Sequence, residues 1–274
     1  MKTAVPVFPG SNCDHDAYHA LKHVVGVGTE FVWHKRSSLE GFDAVVIPGG
    51  FTYGDYLRCG AMAKLSPVME AVRRFAEGGG PVIGICNGFQ ILLESGLLPG
   101  AMMVNESLRF VCDYVNLRTE TDRTPFTGGI APGTVLKVPV AHYQGNYFAD
   151  DATLAALEER RQVVFRYCDP QGNATAEANP NGSARNIAGI CNERGNVLGM
   201  MPHPERCAEE ALGSADGRLL FDSMVAWLKE SMASPKRNSS GCAPSWAATR
   251  TSPSSASSPS CGASTAPTRA RGST

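Results

Sequence analysis

A cysteine between two glycines is the residue of this chain best suited to nucleophilic chemistry. Cys86 follows the apolar run of residues 82–85, which predicts a buried strand, and a helix is predicted just beyond it. Gly84 and Gly88 allow a sharp strand-to-helix turn, which can lift a nucleophile out of a sheet. The helix dipole at such a turn favours the thiolate. A cysteine after a strand is more often a small core residue, so the interpretation needs a second group elsewhere.

That second group is a histidine with a nearby carboxylate. Pro202 and Pro204 flank His203 and restrict the backbone on both sides, and Glu205 lies two residues further on. In an extended segment the side chains of His203 and Glu205 would point the same way. A carboxylate behind an imidazole fixes its tautomer and stabilises the imidazolium. The alternative is a rigid loop that contains a histidine and a glutamate by chance.

Backbone groups near these residues could stabilise an oxyanion. Gly49 and Gly50 directly follow a predicted strand at residues 44–47, where glycine lets backbone N–H groups approach a ligand. The N–H groups of Gly50 and Asn87 are therefore candidate oxyanion donors. Together with Cys86, these features predict acyl transfer through a thioester.

The elements that must position these residues alternate between strand and helix in the first hundred residues. This alternation predicts an α/β fold with an open, mostly parallel sheet and helices on both faces. Further short strands between residues 100 and 200 predict a small antiparallel section packed on that sheet. We expect one domain over residues 1–231. Residues 232–274 are rich in Ser, Thr, Pro and Arg without apolar periodicity, so we expect a disordered tail.

Composition limits the possible functions. The chain has 274 residues, is 43% hydrophobic and carries a net charge of −1. Residues 1–231 hold 20 basic and 26 acidic residues, which argues against a nucleic-acid or membrane partner. The nine cysteines are odd in number and show no C-x-x-C spacing, so we expect neither a disulfide framework nor a metal site. We expect a cytoplasmic protein.

Several motifs resemble a known family. Residues 84–90, Gly-Ile-Cys-Asn-Gly-Phe-Gln, and residues 203–205, His-Pro-Glu, resemble the signatures of class I, triad-type glutamine amidotransferases. Within that class, residues 9–14, 48–60 and 199–206 look like the glutaminase subunits of phosphoribosylformylglycinamidine synthases. The resemblance extends from residue 1 to about residue 231 and implies the flavodoxin-like fold of that class.

The resemblance implies a role for each motif residue. Cys86 would attack the side-chain amide of glutamine, and ammonia would leave. Water would then release glutamate from the thioester. His203 would act as general base and acid, Glu205 would orient His203, and Gln90 would line the glutamine pocket.

The resemblance also implies partners. Ammonia would pass to a large synthetase subunit, which uses ATP and Mg²⁺ to convert formylglycinamide ribonucleotide into the amidine during de novo purine synthesis. A small accessory subunit is also expected. The chain contains no G-x-x-x-x-G-K-[ST] phosphate loop, which is consistent with ATP binding by the partner and with no cofactor in this chain.

The chain departs from the family pattern at several positions, and three alternative functions remain open. The family usually has Gly and Glu where this chain has Tyr143 and Gln144, and His142 before them could be a ligand contact or a structural residue. The chain could instead serve a different synthetase, act as a stand-alone cysteine hydrolase, or be a non-catalytic subunit. The Gly-Asp-Tyr-Leu-Arg stretch at residues 54–58 argues against a different synthetase, and the intact Cys, His and Glu argue against a non-catalytic subunit.

Overall fold

A computed structural model describes residues 1–233 of the chain. The predicted tail lies outside the described residues, except that Met232 and Ala233 complete the last helix. The strands are β1 (Lys2–Val7), β2 (Gly28–Trp33), β3 (Ala44–Ile47), β4 (Val82–Ile85), β5 (Ala101–Met103), β6 (Val111–Thr119), β7 (Val135–His142), β8 (Asn146–Phe148), β9 (Val163–Cys168), β10 (Ile187–Cys191) and β11 (Val197–Met200). The α-helices are α1 (Asp14–His19), α2 (Pro67–Glu77), α3 (Asn87–Glu94), α4 (Asp151–Glu159) and α5 (Arg218–Ala233).

One nine-stranded sheet organises the molecule, in the order β2-β1-β3-β4-β11-β10-β9-β6-β7. The strands from β2 to β11 are mutually parallel, and those from β10 to β7 are antiparallel to their neighbours. The predicted α/β class is confirmed. The antiparallel section continues the same sheet, because β11 pairs with β4 on one side and with β10 on the other. The expected antiparallel section is therefore present as an extension of the main sheet, and a separate antiparallel pair joins β5 to β8.

The centre of the sheet is formed by continuous apolar runs. Every residue of β3 and β4 is buried, as expected for parallel strands covered on both faces. The helix α2 presents Val68, Val72 and Ala76 to the core at helical spacing. These central strands therefore form a rigid base whose carboxyl ends carry Gly49 and Cys86.

Two predicted helices differ in detail from the structure. The helix expected over residues 61–77 is interrupted at Ser66, whose ψ of 139° is extended. The cause is Pro67, since a residue before proline is disfavoured in the helical region. The helix predicted from Asp14 ends its α-helical part at His19 and continues as a π-helical turn over Ala20–Val24. Within residues 1–233, no helix is long and apolar enough to span a bilayer.

Candidate active site

Cys86 lies at the join between β4 and α3 in a strained conformation. Its φ of 51° and ψ of −107° are unusual for any residue other than glycine, and such strain concentrates at functional sites. The adjacent Gly88 is required sterically, because a Cβ there would lie 2.1 Å from the carbonyl oxygen of Ile47. The structure therefore has the sharp turn that the two glycines predicted.

His203 and Glu205 form a buried pair at the end of β11. His203 Nδ1 lies 2.6 Å from Glu205 Oε1, and both side chains are almost completely buried. The backbone N–H of His203 donates to the carbonyl of Pro139, which ties this turn to β7. The expectation of an extended segment is wrong, because Pro204–Cys207 forms a 3₁₀ turn. That turn, rather than strand alternation, brings the carboxylate against the imidazole.

The nucleophile candidate and this pair converge around Gly49. A Cβ on Gly49 would lie 2.8 Å from His203 Cε1 and 3.3 Å from Cys86 Cβ. The Cys86 thiol contacts the carbonyl of Ala141, with Sγ 3.8 Å from the oxygen. Among the described residues, nothing hydrogen-bonds to His203 Nε2, so this nitrogen is available to a reacting group. Parts of the chain that are distant in sequence therefore meet at the carboxyl ends of β3, β4 and β11.

The electrostatics of the pair favour an imidazolium. Burial alone would lower the pKa of His203, but the carboxylate of Glu205 and the nearby sulfur of Cys86 outweigh it. The net result is a His203 pKa well above its ordinary value of 6.5. A cationic imidazole beside Cys86 stabilises the thiolate, which is the nucleophilic form of cysteine.

A small cavity opens beside Cys86. Its volume is about 40 Å³, and Gly50 and Gln90 lie in its wall with Cys86. The side chain of Asn87, the residue after Cys86, is fully buried. Its Oδ1 accepts a hydrogen bond from Thr52 N at 3.2 Å, and its Nδ2 donates to Gln90 Oε1 at 2.8 Å. As the first residue of α3, Asn87 also has a backbone N–H with no intrahelical acceptor.

Gln90 connects the helix to the loop after β7. Its Nε2 donates to the carbonyl of Gln144 at 2.6 Å, and both Tyr143 and Gln144 lie in the cavity wall. The two residues that depart from the family pattern therefore border the candidate site directly. A change of residue type there alters the wall of the cavity.

The buried His142, also in this wall, is neutral. Burial, with a smaller contribution from His203, lowers the pKa of His142 to about 3. Asn181 Nδ2 lies 3.0 Å from His142 Nε2 and donates to it, because Asn181 Oδ1 accepts from Ser183. The proton of neutral His142 therefore resides on Nδ1, which has no hydrogen-bond partner among residues 1–233.

Sequence analysis missed a second buried thiol at this site. Arg206 Nη2 donates to Cys13 Sγ at 2.9 Å, and Arg206 Nε donates to Asp16 at 3.2 Å. Donor atoms of Cys13, His203 and Glu205 lie within 4.8 Å of one another, the spacing of a possible metal site. The available signals were that Arg206 directly follows Glu205 and that Cys13 follows the turn after β1.

Fold and site together define an α/β protein with a mixed, mostly parallel sheet, in which Cys86, His203 and Glu205 meet at the carboxyl ends of parallel strands. The family model described as the CobB/CobQ-like glutamine amidotransferase domain matches residues 1–228. The chain therefore belongs to this family of glutamine amidotransferases.

Similar proteins carry a more particular name. A Koribacter versatilis protein described as phosphoribosylformylglycinamidine synthase subunit PurQ is 62% identical over 225 residues, covering 82% of this chain and 97% of the relative. A Methanosarcina mazei protein with the same description is 56% identical, covering 84% and 99%. One chain of the structure of PurLQS from Thermotoga maritima is 42% identical with a TM-score of 0.73, covering 83% and 98%.

Proposed function

We propose that this protein is the glutaminase subunit of a phosphoribosylformylglycinamidine synthase and supplies ammonia to a synthetase subunit. The observation that carries the proposal is the convergence of Cys86 and the buried His203–Glu205 pair around Gly49. The relatives described as PurQ support the choice among amidotransferases.

In this mechanism the Cys86 thiolate attacks the side-chain amide carbon of glutamine. The backbone N–H groups of Gly50 and Asn87 stabilise the oxyanion that forms. His203 donates its proton to the departing ammonia and then takes a proton from water, which attacks the thioester and releases glutamate. Glu205 holds the imidazole and stabilises its charged form.

The partner chemistry follows from the same proposal. The released ammonia passes to a large synthetase subunit, assembled with a small accessory subunit, as the description PurLQS of the Thermotoga maritima structure suggests. That synthetase uses ATP and Mg²⁺ to convert formylglycinamide ribonucleotide into formylglycinamidine ribonucleotide for purine synthesis. We place the complex in the cytoplasm.

The loops beside the cavity suggest where a partner contacts this chain. Phe51 and Tyr143 lie in the cavity wall, and both side chains are exposed. A synthetase that docks against these loops would contact the wall of the glutamine site, and its binding would therefore change the rate of glutamine turnover.

The test is glutamate release from glutamine by the full chain, alone and with the synthetase and accessory subunits, formylglycinamide ribonucleotide and ATP. We expect slow release alone and strong stimulation in the mixture. Full activity without partners would instead support a stand-alone hydrolase, and no release in either case would support a non-catalytic subunit.

A further inference from the structure

A carboxyl group in the wall of the cavity has no assigned role. Asp55 lies in this wall together with Cys86 and Gln90, and it is the only carboxyl group among the described residues that form it. Its Oδ1 is buried and has no hydrogen-bond partner within residues 1–233. A buried acceptor without a partner is costly and therefore calls for an explanation.

Among residues 1–233, no basic side chain forms an ion pair with Asp55. The basic side chains closest in sequence, Arg58 and Lys64, are both paired with Glu94. Burial raises the pKa of Asp55, and the neighbouring Cys59 thiol offsets this only in part. Asp55 therefore has the environment of a carboxylate whose positive partner is absent.

The backbone around Asp55 is unusually strained. Tyr53, Asp55 and Leu57 have φ values of 55°, 55° and 71°, in the left-handed region, which Tyr and Leu rarely adopt and Asp adopts more readily. Such backbone conformations are unfavourable, so the loop needs firm attachment to the rest of the domain. Tyr53 provides it, since its hydroxyl lies 3.0 Å from both His34 Nδ1 and Ser66 Oγ. The strain directs the carboxyl group into the cavity instead of into solvent.

We infer that Asp55 binds the α-ammonium group of the substrate amino acid. This inference rests on the proposed function, since it takes the reacting amide to lie at Cys86. A glutamine whose amide lies there places its charged head group elsewhere in the same cavity, where Asp55 is the one carboxyl group that the described residues offer to the ammonium. The charge-assisted hydrogen bond to Oδ1 satisfies the buried acceptor and selects α-amino acids over simple amides.

The first test is equilibrium binding of glutamine to the assembled complex that carries Cys86→Ala and cannot turn substrate over. Adding Asp55→Asn keeps the shape of the side chain and removes its charge. We expect the glutamine Kd to rise roughly 10- to 100-fold, as for loss of a charge-assisted hydrogen bond. Glutaramate, which is glutamine without its α-amino group, should bind both proteins equally. Asp122→Asn, a change at an exposed carboxyl group away from the cavity, is the matched control.

The second test uses turnover by the complex with an intact Cys86. Asp55→Asn should raise the KM for glutamine with a smaller change in kcat. The ratio of kcat/KM for glutamine to kcat/KM for glutaramate should fall by the factor by which this KM rises. Synthesis from added ammonia should be unchanged. An unaltered Kd, or an equal loss of glutamine and glutaramate binding, would overturn the inference and indicate a structural or partner-docking role for Asp55. Failure of the proposed function would give a different result, because the complex with intact Asp55 would then release no glutamate from glutamine.

Discussion

The buried neutral His142 should make the stability of the protein depend on pH in a defined window. Its pKa falls from 6.5 to about 3 on folding, because burial disfavours the charged ring. Below pH 6.5 His142 is protonated in the unfolded chain but stays neutral in the folded protein. The free energy of unfolding therefore decreases as the pH falls from 6.5 toward about 3. Between about pH 7.5 and about pH 5.5, this one group should reduce the free energy of unfolding by about 1.4 kcal/mol.

The assay compares urea unfolding of the parent protein and His142→Gln at both pH values. The glutamine can accept the hydrogen bond from Asn181 but cannot titrate. Because the pKa of His203 is raised on folding, this residue makes the free energy of unfolding increase as the pH falls. Both proteins contain His203, so its contribution is common to them. The parent should therefore lose about 1.4 kcal/mol more than the variant on acidification. His15→Gln changes an exposed histidine and is the control. Equal losses in the parent and His142→Gln would refute the assignment of His142 as a buried neutral group.

Three further substitutions test the geometry of the site. Gly49→Ala should lower glutamine turnover strongly, because the new methyl would lie 2.8 Å from the imidazole of His203 and displace it. Gly88→Ala should prevent stable folding, since the clash at 2.1 Å is with the backbone of Ile47, as thermal unfolding would report. Asn87→Ala should destabilise by about 1–3 kcal/mol for each buried group that it leaves unpaired, measured by denaturant unfolding.

A matched glycine provides the control for these substitutions. Gly128→Ala would place its methyl 3.6 Å from the backbone oxygen of Thr124, an ordinary contact, and should alter neither folding nor turnover. Wild-type turnover by Gly49→Ala would mean that the position of His203 is not critical. A fully stable Gly88→Ala protein would contradict the close approach of α3 to β3.

The central part of the fold was predictable because its sequence signals are local. Apolar runs bounded by glycine and proline define β3 and β4, and the spacing of Gly84, Cys86 and Gly88 specifies the turn from β4 into α3. The order of the strands in the sheet was harder to predict, because no local sequence pattern shows that β11 lies between β4 and β10.

The site residues were likewise predictable only where the contact between them is local in sequence. His203 and Glu205 are neighbours in sequence, so their pairing was predictable even though the 3₁₀ turn that achieves it was not. The contact between Cys13 and Arg206 joins opposite ends of the domain, and no local pattern encodes it. The orphaned oxygen of Asp55 depends on a run of left-handed backbone conformations at non-glycine residues, which propensities disfavour.

The most direct test of the account is the activity of Cys86→Ala in the assembled complex with two nitrogen donors. With glutamine, we predict that amidine synthesis falls by about 10³-fold or more, because no thioester can form. With added ammonia, synthesis should continue at the parent rate, since the synthetase chemistry does not involve this chain's thiol. Continued use of glutamine would contradict the nucleophilic role of Cys86, and loss of the ammonia-dependent reaction would show that Cys86 instead serves folding or docking.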